Sequence, residues 1–206
     1  LAGSEYAAAA DAFNALSHRD EPLALFRLGQ IQAAVGDSEA ANQTVLHAIS
    51  LFHQFNIDAG EAEAKLARGT IASGSGNSYA ALLELEGAAE LFEELGDALG
   101  QGRALLEWAR VDASSGRDVY ANQRANEAAA LFAGAGSSIG QVEVALELGN
   151  WARDGGDAGA AAVSFSQAAE MFAAIDSPLA AMNGFLGLPE TSTLRVFATI
   201  SPVNLY

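Results

Sequence analysis

Residues 88–108 read AAELFEELGDALGQGRALLEW. Apolar residues at helical spacing give way to Gly96-Asp97, and a second apolar helical run starts at once. A helix end and a helix start this close together form a hairpin joint. The joint recurs at a fixed step. Gly36, Gly76, Gly116 and Gly156 stand forty apart, and so do Phe52, Phe92, Phe132 and Phe172. Gly60, Gly100 and Gly140 keep the same step, with Ala180 in fourth place. Two alanine columns do likewise: Ala41, Ala81, Ala121, Ala161 and Ala48, Ala88, Ala128, Ala168. Five columns in register over four units mark a repeat array.

Within each unit the spacing is that of a helix. Ala41, Val45, Ala48, Ile49 and Phe52 fall at i, i+4, i+7, i+8 and i+11, one face of a helix. The matching sets are Ala81, Leu85, Ala88, Ala89, Phe92; Ala121, Ala125, Ala128, Ala129, Phe132; and Ala161, Phe165, Ala168, Ala169, Phe172. A second helix precedes the glycine, with Ala24, Leu28 and Ile31 on its inner stripe in the first unit. Glycine ends that helix in the left-handed conformation at VGDS, SGNS, SGRD and GGDA. Each unit is a helical hairpin, and the predicted fold is an all-α solenoid of stacked antiparallel hairpins.

The pattern resembles the tetratricopeptide repeat (TPR) family, lengthened to forty residues per unit. Gly29, Gly69, Ala109 and Gly149 occupy the family's small eighth position, where helices cross closely. The turn glycines and the two alanine columns match as well, and ALFRLGQIQAAVGDSEAA is the stretch nearest the family pattern. The usual aromatics of the first helix are mostly missing, and Arg68 stands where the family has an apolar residue. The resemblance spans residues 3–188 and implies a right-handed superhelix. Its units are a half repeat at 3–21, repeats at 22–61, 62–101, 102–141 and 142–181, and an unpaired closing helix at 178–188 that opens on Pro178. Residues 189–206 alternate in a strand-like way (Leu194, Val196, Ala198, Ile200) and form a short extended C-terminal segment, as a tail or the start of a further domain.

The resemblance also implies where a partner lies. First helices of the family line a concave groove, and position by position this places four columns there. Leu23, Glu63, Arg103 and Glu143 form one, and Phe26, Leu66, Leu106 and Leu146 an apolar second. Gln30, Thr70, Arg110 and Asn150 form a third, with Ser73, Ser114, Arg153 and Asp154 beyond. An apolar rail flanked by polar groups suits an extended peptide or a helix. The same apolar column serves equally as packing between lengthened helices. Arg103, Arg110 and Arg153 either receive an acidic peptide or neutralise neighbouring glutamates.

Composition narrows the partner. The 206 residues carry a net charge of −16, from 26 acidic against 10 basic side chains. Such a field repels phosphate backbones and anionic lipid, so protein or peptide is expected rather than nucleic acid or membrane. No continuous apolar run approaches the ~18 residues of a membrane span. Cysteine is absent, which removes disulfides and thiolate chemistry but leaves the compartment open between cytoplasm and export. The opening Leu1 predicts a processed or partial chain.

Nothing in the sequence assembles a catalytic set, a metal site or a cofactor motif. His18, His47 and His53 lack ligand spacing. GTIASGSGNS has no phosphate-loop lysine, and RDGGD falls on a repeat turn. LPETS resembles a sortase signal without the apolar anchor and basic tail, and Asn42-Gln43-Thr44 is a lone glycosylation triplet inside a predicted helix. Glu84, Glu86, Glu90, Glu93 and Glu94 read as a solvated outer face, and Trp108 and Trp151 as core. The expected function is therefore a non-catalytic scaffold for a protein or peptide. Two rivals stand beside it: end-to-end self-assembly into a homo-oligomer through the unsealed terminal helices, and a regulatory or sensor segment of a larger bacterial-type regulator or enzyme.

Overall fold

The computed structural model describes the backbone of residues 20–185 and the side chains as far as residue 175. The described residues form helices only: α1 Glu21–Ala34, α2 Ser38–Gln54, α3 Asp58–Gly74, α4 Ser78–Glu94, α5 Ala98–Ser114, α6 Asp118–Gly134, α7 Ser138–Asp154 and α8 Ala158–Phe185. Each packs on the next, so α1/α2, α3/α4, α5/α6 and α7/α8 are four antiparallel hairpins. First helices also touch across units, α1 to α3, α3 to α5 and α5 to α7. They share one face of the array. The fold is the expected α-solenoid.

The joint between α4 and α5 shows why each helix stops and the next begins. Gly96 adopts φ 69°, which lets its own N–H reach the Glu93 carbonyl and the following N–H of Asp97 reach Phe92. The Asp97 carboxylate then accepts the Gly100 N–H at 2.9 Å and caps α5. Asp37, Asn77, Ser137 and Asp157 cap their helices in the same way. The turn within a hairpin and the turn between hairpins are thus one device, used every twenty residues. Asn56, Gly96 and Gly136 all have positive φ between hairpins, matching the glycines within them.

Two kinds of close contact hold the layers. Inside a hairpin, helix crossing depends on a size trade between facing columns. A Cβ on Gly29, Gly69 or Gly149 would lie 2.4–2.6 Å from Val45, Leu85 or Phe165. Where the first helix carries Ala109 instead, the partner shrinks to Ala125, and both are fully buried. Between hairpins, the ring of Phe52, Phe92 or Phe132 lies flush on Gly60, Gly100 or Gly140, leaving 2.3–2.5 Å to an added Cβ. The buried rings and alanines gather into four clusters set one after another along the array.

A further pair of facing columns carries polar exceptions. In the second unit Arg68 forms an ion pair with Glu84, which is 8% exposed. Glu84 is therefore not part of the solvated face, although Glu86, Glu90, Glu93 and Glu94 are exposed. It faces inward because the residue opposite is a cation. One unit later the same columns hold Trp108 and Arg124, with the guanidinium 3.9 Å from the indole centroid. Arg124 and Arg117 together neutralise Asp112, which is 2% exposed. Trp108 and Trp151 pack partly buried against the core, as read from the sequence.

The C-terminal end differs from expectation. No new helix starts at Pro178; α8 runs unbroken from Ala158 to Phe185. Position 176, which follows Asn56, Gly96 and Gly136 at the repeat step, is Asp. A left-handed turn is costlier there than at glycine, and the helix continues. Ala158–Ile175 also has the length and apolar character of a membrane span, with a mean hydropathy of 1.2. Small alanines spread along the helix contribute much of that score; within the window Ala161 and Ala168 are buried in the array, and the other side chains are exposed or half-buried. The half repeat at 3–21 up to residue 19, the last three residues of the expected closing helix and the extended segment at 189–206 lie outside the described residues.

Candidate functional site

The face shared by first helices carries a depression of about 390 Å³ spanning α1, α3, α5 and α7. Eight of the sixteen residues in the four expected groove columns line it: Gln30, Glu63, Leu66, Thr70, Arg103, Leu106, Arg110 and Glu143. Leu23, Phe26, Ser73, Ser114, Leu146, Asn150, Arg153 and Asp154 do not. The forty-residue step brings the eight together because successive first helices stack with their equivalent turns side by side.

The apolar column is floor rather than rail. Phe26, Leu66 and Leu106 are buried in the core, and Leu146 alone is exposed at 37%. Only edges of Leu66 and Leu106 reach the depression, together with Ala67 and Ile71. The walls are polar. Thr70 donates its hydroxyl to the Leu66 carbonyl at 3.1 Å, and Gln30 Oε1 accepts from Arg27 at 2.9 Å.

The arginines are engaged with glutamates of the same face. Arg103 makes a two-point contact with Glu63 on the previous unit, Nη1–Oε1 2.9 Å and Nη2–Oε2 3.3 Å. Arg110 reaches Glu143 at 2.8 Å and Glu147 at 2.9 Å on the next unit, and Glu107 on its own helix. Arg153 pairs with its neighbour Asp154 at 2.9 Å. Of the two roles open to these residues, neutralising nearby glutamate is the one the structure displays. Burial raises the Glu107 carboxyl above its ordinary range; Arg110 pulls the other way, and Glu143 and Glu147 add to the rise. Burial also disfavours the Arg110 charge, but the three carboxylates outweigh it and hold the guanidinium protonated.

Glu107 and Glu147 are the residues that sequence reading missed. They belong to a further column, Arg27, Ala67, Glu107 and Glu147, one turn along from the Arg103 column. The signal was present at the repeat step, but the column mixes Arg, Ala and Glu, so it did not stand out as a pattern. A second, larger depression of about 940 Å³ adjoins the first and shares Arg110 with it. It lies between α5, α6, α7 and α8, with Asn122, Asn126, Trp151 and Ser164 among its lining. The α6/α7 joint beneath is the least closely packed of the joints between neighbouring helices. Elsewhere, His53 contacts Glu61 at 3.0 Å across the α2/α3 joint, and Lys65 shares that carboxylate. Among the described residues no group of three or more acidic or histidine side chains is placed to hold a metal ion.

No family model matches this chain, and no curated protein sequence does. The architecture itself has solved counterparts. The crystal structure of BtubC (BKLC) from P. vanneervenii is similar with a TM-score of 0.73, over 84% of this chain and 73% of that one, at 16% identity. At that identity the likeness is one of fold. The chain is a helical-repeat solenoid.

Proposed function

We propose that the chain is a non-catalytic scaffold of tetratricopeptide type that holds a segment of a protein partner on the face formed by its first helices. The observation that carries this reading is the depression over α1, α3, α5 and α7. Four successive units contribute polar side chains to its walls over an apolar floor, an arrangement suited to seating a chain and fixing its direction. Fold alone does not establish function, so the reading rests on that site. The two rival readings, end-to-end assembly and a sensor segment of a longer protein, draw on residues outside those described.

Peptides selected by display on the full chain test the proposal. Thr70 is exposed on the wall, so Thr70→Trp fills the depression without touching the core. Selected binders are expected to lose about tenfold or more in affinity for this variant, with its helical circular dichroism and urea midpoint unchanged. Binders that retain full affinity would place the binding surface elsewhere.

A further inference from the structure

We infer that the segment held on this face is an extended, lysine- or arginine-bearing stretch of the partner, seated along a track that runs from the first depression into the second. The inference rests on the scaffold reading and adds the chemistry of the occupant. Its basis is an unbalanced charge count at fixed positions. Arg103 is spent on Glu63. Arg110 alone serves Glu107, Glu143 and Glu147, one cation among three carboxylates, which leaves two negative charges over. Glu143, half exposed on the rim, presents that excess to an incoming cation.

The excess continues beyond Arg110. The second depression shares Arg110 with the first and adds Glu147, Asp118, Asp154 and Asp157. Asp154 has Arg153, while Asp118 and Asp157 form no ion pair among the described residues. An acidic track joined at one guanidinium thus crosses from α5 to α8. Burial is the chief cause of the raised Glu107 carboxyl, and Glu143 and Glu147 add to the rise as neighbouring like charges.

A peptide fits this track better than a free cation does. Asn122 and Asn126 donate their side-chain amides to carbonyls of α6 at 2.9 and 2.8 Å, which leaves their Oδ1 acceptors for a peptide N–H. Complementary charge would then set the approach and the register, with the apolar floor adding burial. Nucleic acid is disfavoured by the same charge that favours a basic segment.

Fluorescence anisotropy on the full chain tests this with three labelled short peptides of shared apolar residues, whose polar positions are Lys/Arg, Asp/Glu or Ser/Gln. The basic peptide is expected to bind, and more weakly as salt rises. Glu143→Lys should weaken it about tenfold or more. Glu90→Lys, on the exposed side of α4, changes net charge equally and should weaken it about twofold at most. Equal loss in both variants would reveal diffuse attraction to an acidic surface and overturn the inference. Preference for the acidic or neutral peptide would overturn it too, while leaving the scaffold reading intact. The same holds if none of the three binds but display-selected binders remain sensitive to Thr70→Trp. Failure of every peptide, selected ones included, would remove both.

Discussion

Gly100 lies under the ring of Phe92, where an added Cβ would come within 2.3 Å of Cδ1. Gly100→Ala therefore forces a buried ring off its seat and should destabilise the chain by about 1–3 kcal/mol in urea unfolding. Gly74→Ala meets nothing within 4 Å at the end of α3 and should be neutral or stabilising by about 0.4–1 kcal/mol. Similar losses in both variants would break the link between phenylalanine column and glycine column. The columns were visible in the sequence, but their partnership was not, because a ring and its seat belong to different helices. Glu84 was misread for a related reason: helical spacing places a residue on a face, and only the Arg68 opposite turns that face inward. At Glu107 the sign of the pH effect follows from its raised carboxyl. Protonation is easier in the folded chain than in the unfolded one, so ionised Glu107 costs stability above its folded pKa. The cost fades as pH falls through that value to below the ordinary 4.5. Glu107→Gln should raise the urea midpoint at about pH 7 relative to the parent, with the gain shrinking toward pH 4. A gain of equal size at both pH values would show that the charge of Glu107 is not its source.

At the scale of the helix, the crossing inside each hairpin is set by a sum of two side chains. Gly faces Val45, Leu85 or Phe165, and Ala109 faces Ala125. Ala125→Leu alone should cost about 1–3 kcal/mol by overpacking. Adding Ala109→Gly recreates the pairing of the second unit, Gly69 with Leu85, and should recover most of that loss. Gly itself costs a helix about 0.5–1 kcal/mol, so recovery is incomplete. A double-mutant cycle reads the coupling directly, and additive losses would show that the two columns do not trade size. Helices and their ends were legible because hydrophobic period, cap residues and turn glycines all agree on them. The end of α8 was not, because Pro178 suggested a helix start while Asp176 lacks the conformational ease of the glycines before it.

Across the whole molecule, stability is distributed joint by joint rather than held in one central core. The α6/α7 joint is the least closely packed and borders the larger depression. Hydrogen exchange should therefore find α7 and α8 opening as a unit at lower free energy than α1 through α5. Uniform protection along the chain would contradict that ranking. Four of the groove columns could be named from the repeat step, since stacking sets equivalent turns side by side. Their burial could not, because an apolar column satisfies a groove floor and a packed interface equally well. The Arg103–Glu63 pair falls on the forty-residue step and within one named column, whereas Arg110 reaches forward 33 and 37 residues to Glu143 and Glu147, off that step, and those pairings were not legible.

The flush seating of Phe52, Phe92 and Phe132 on Gly60, Gly100 and Gly140 has a bearing on how such a chain changes over generations. Every seam presents the same two matching halves, so the loss or duplication of forty codons brings together surfaces that already fit. The array can shorten or lengthen by whole units while each surviving junction keeps its native partner.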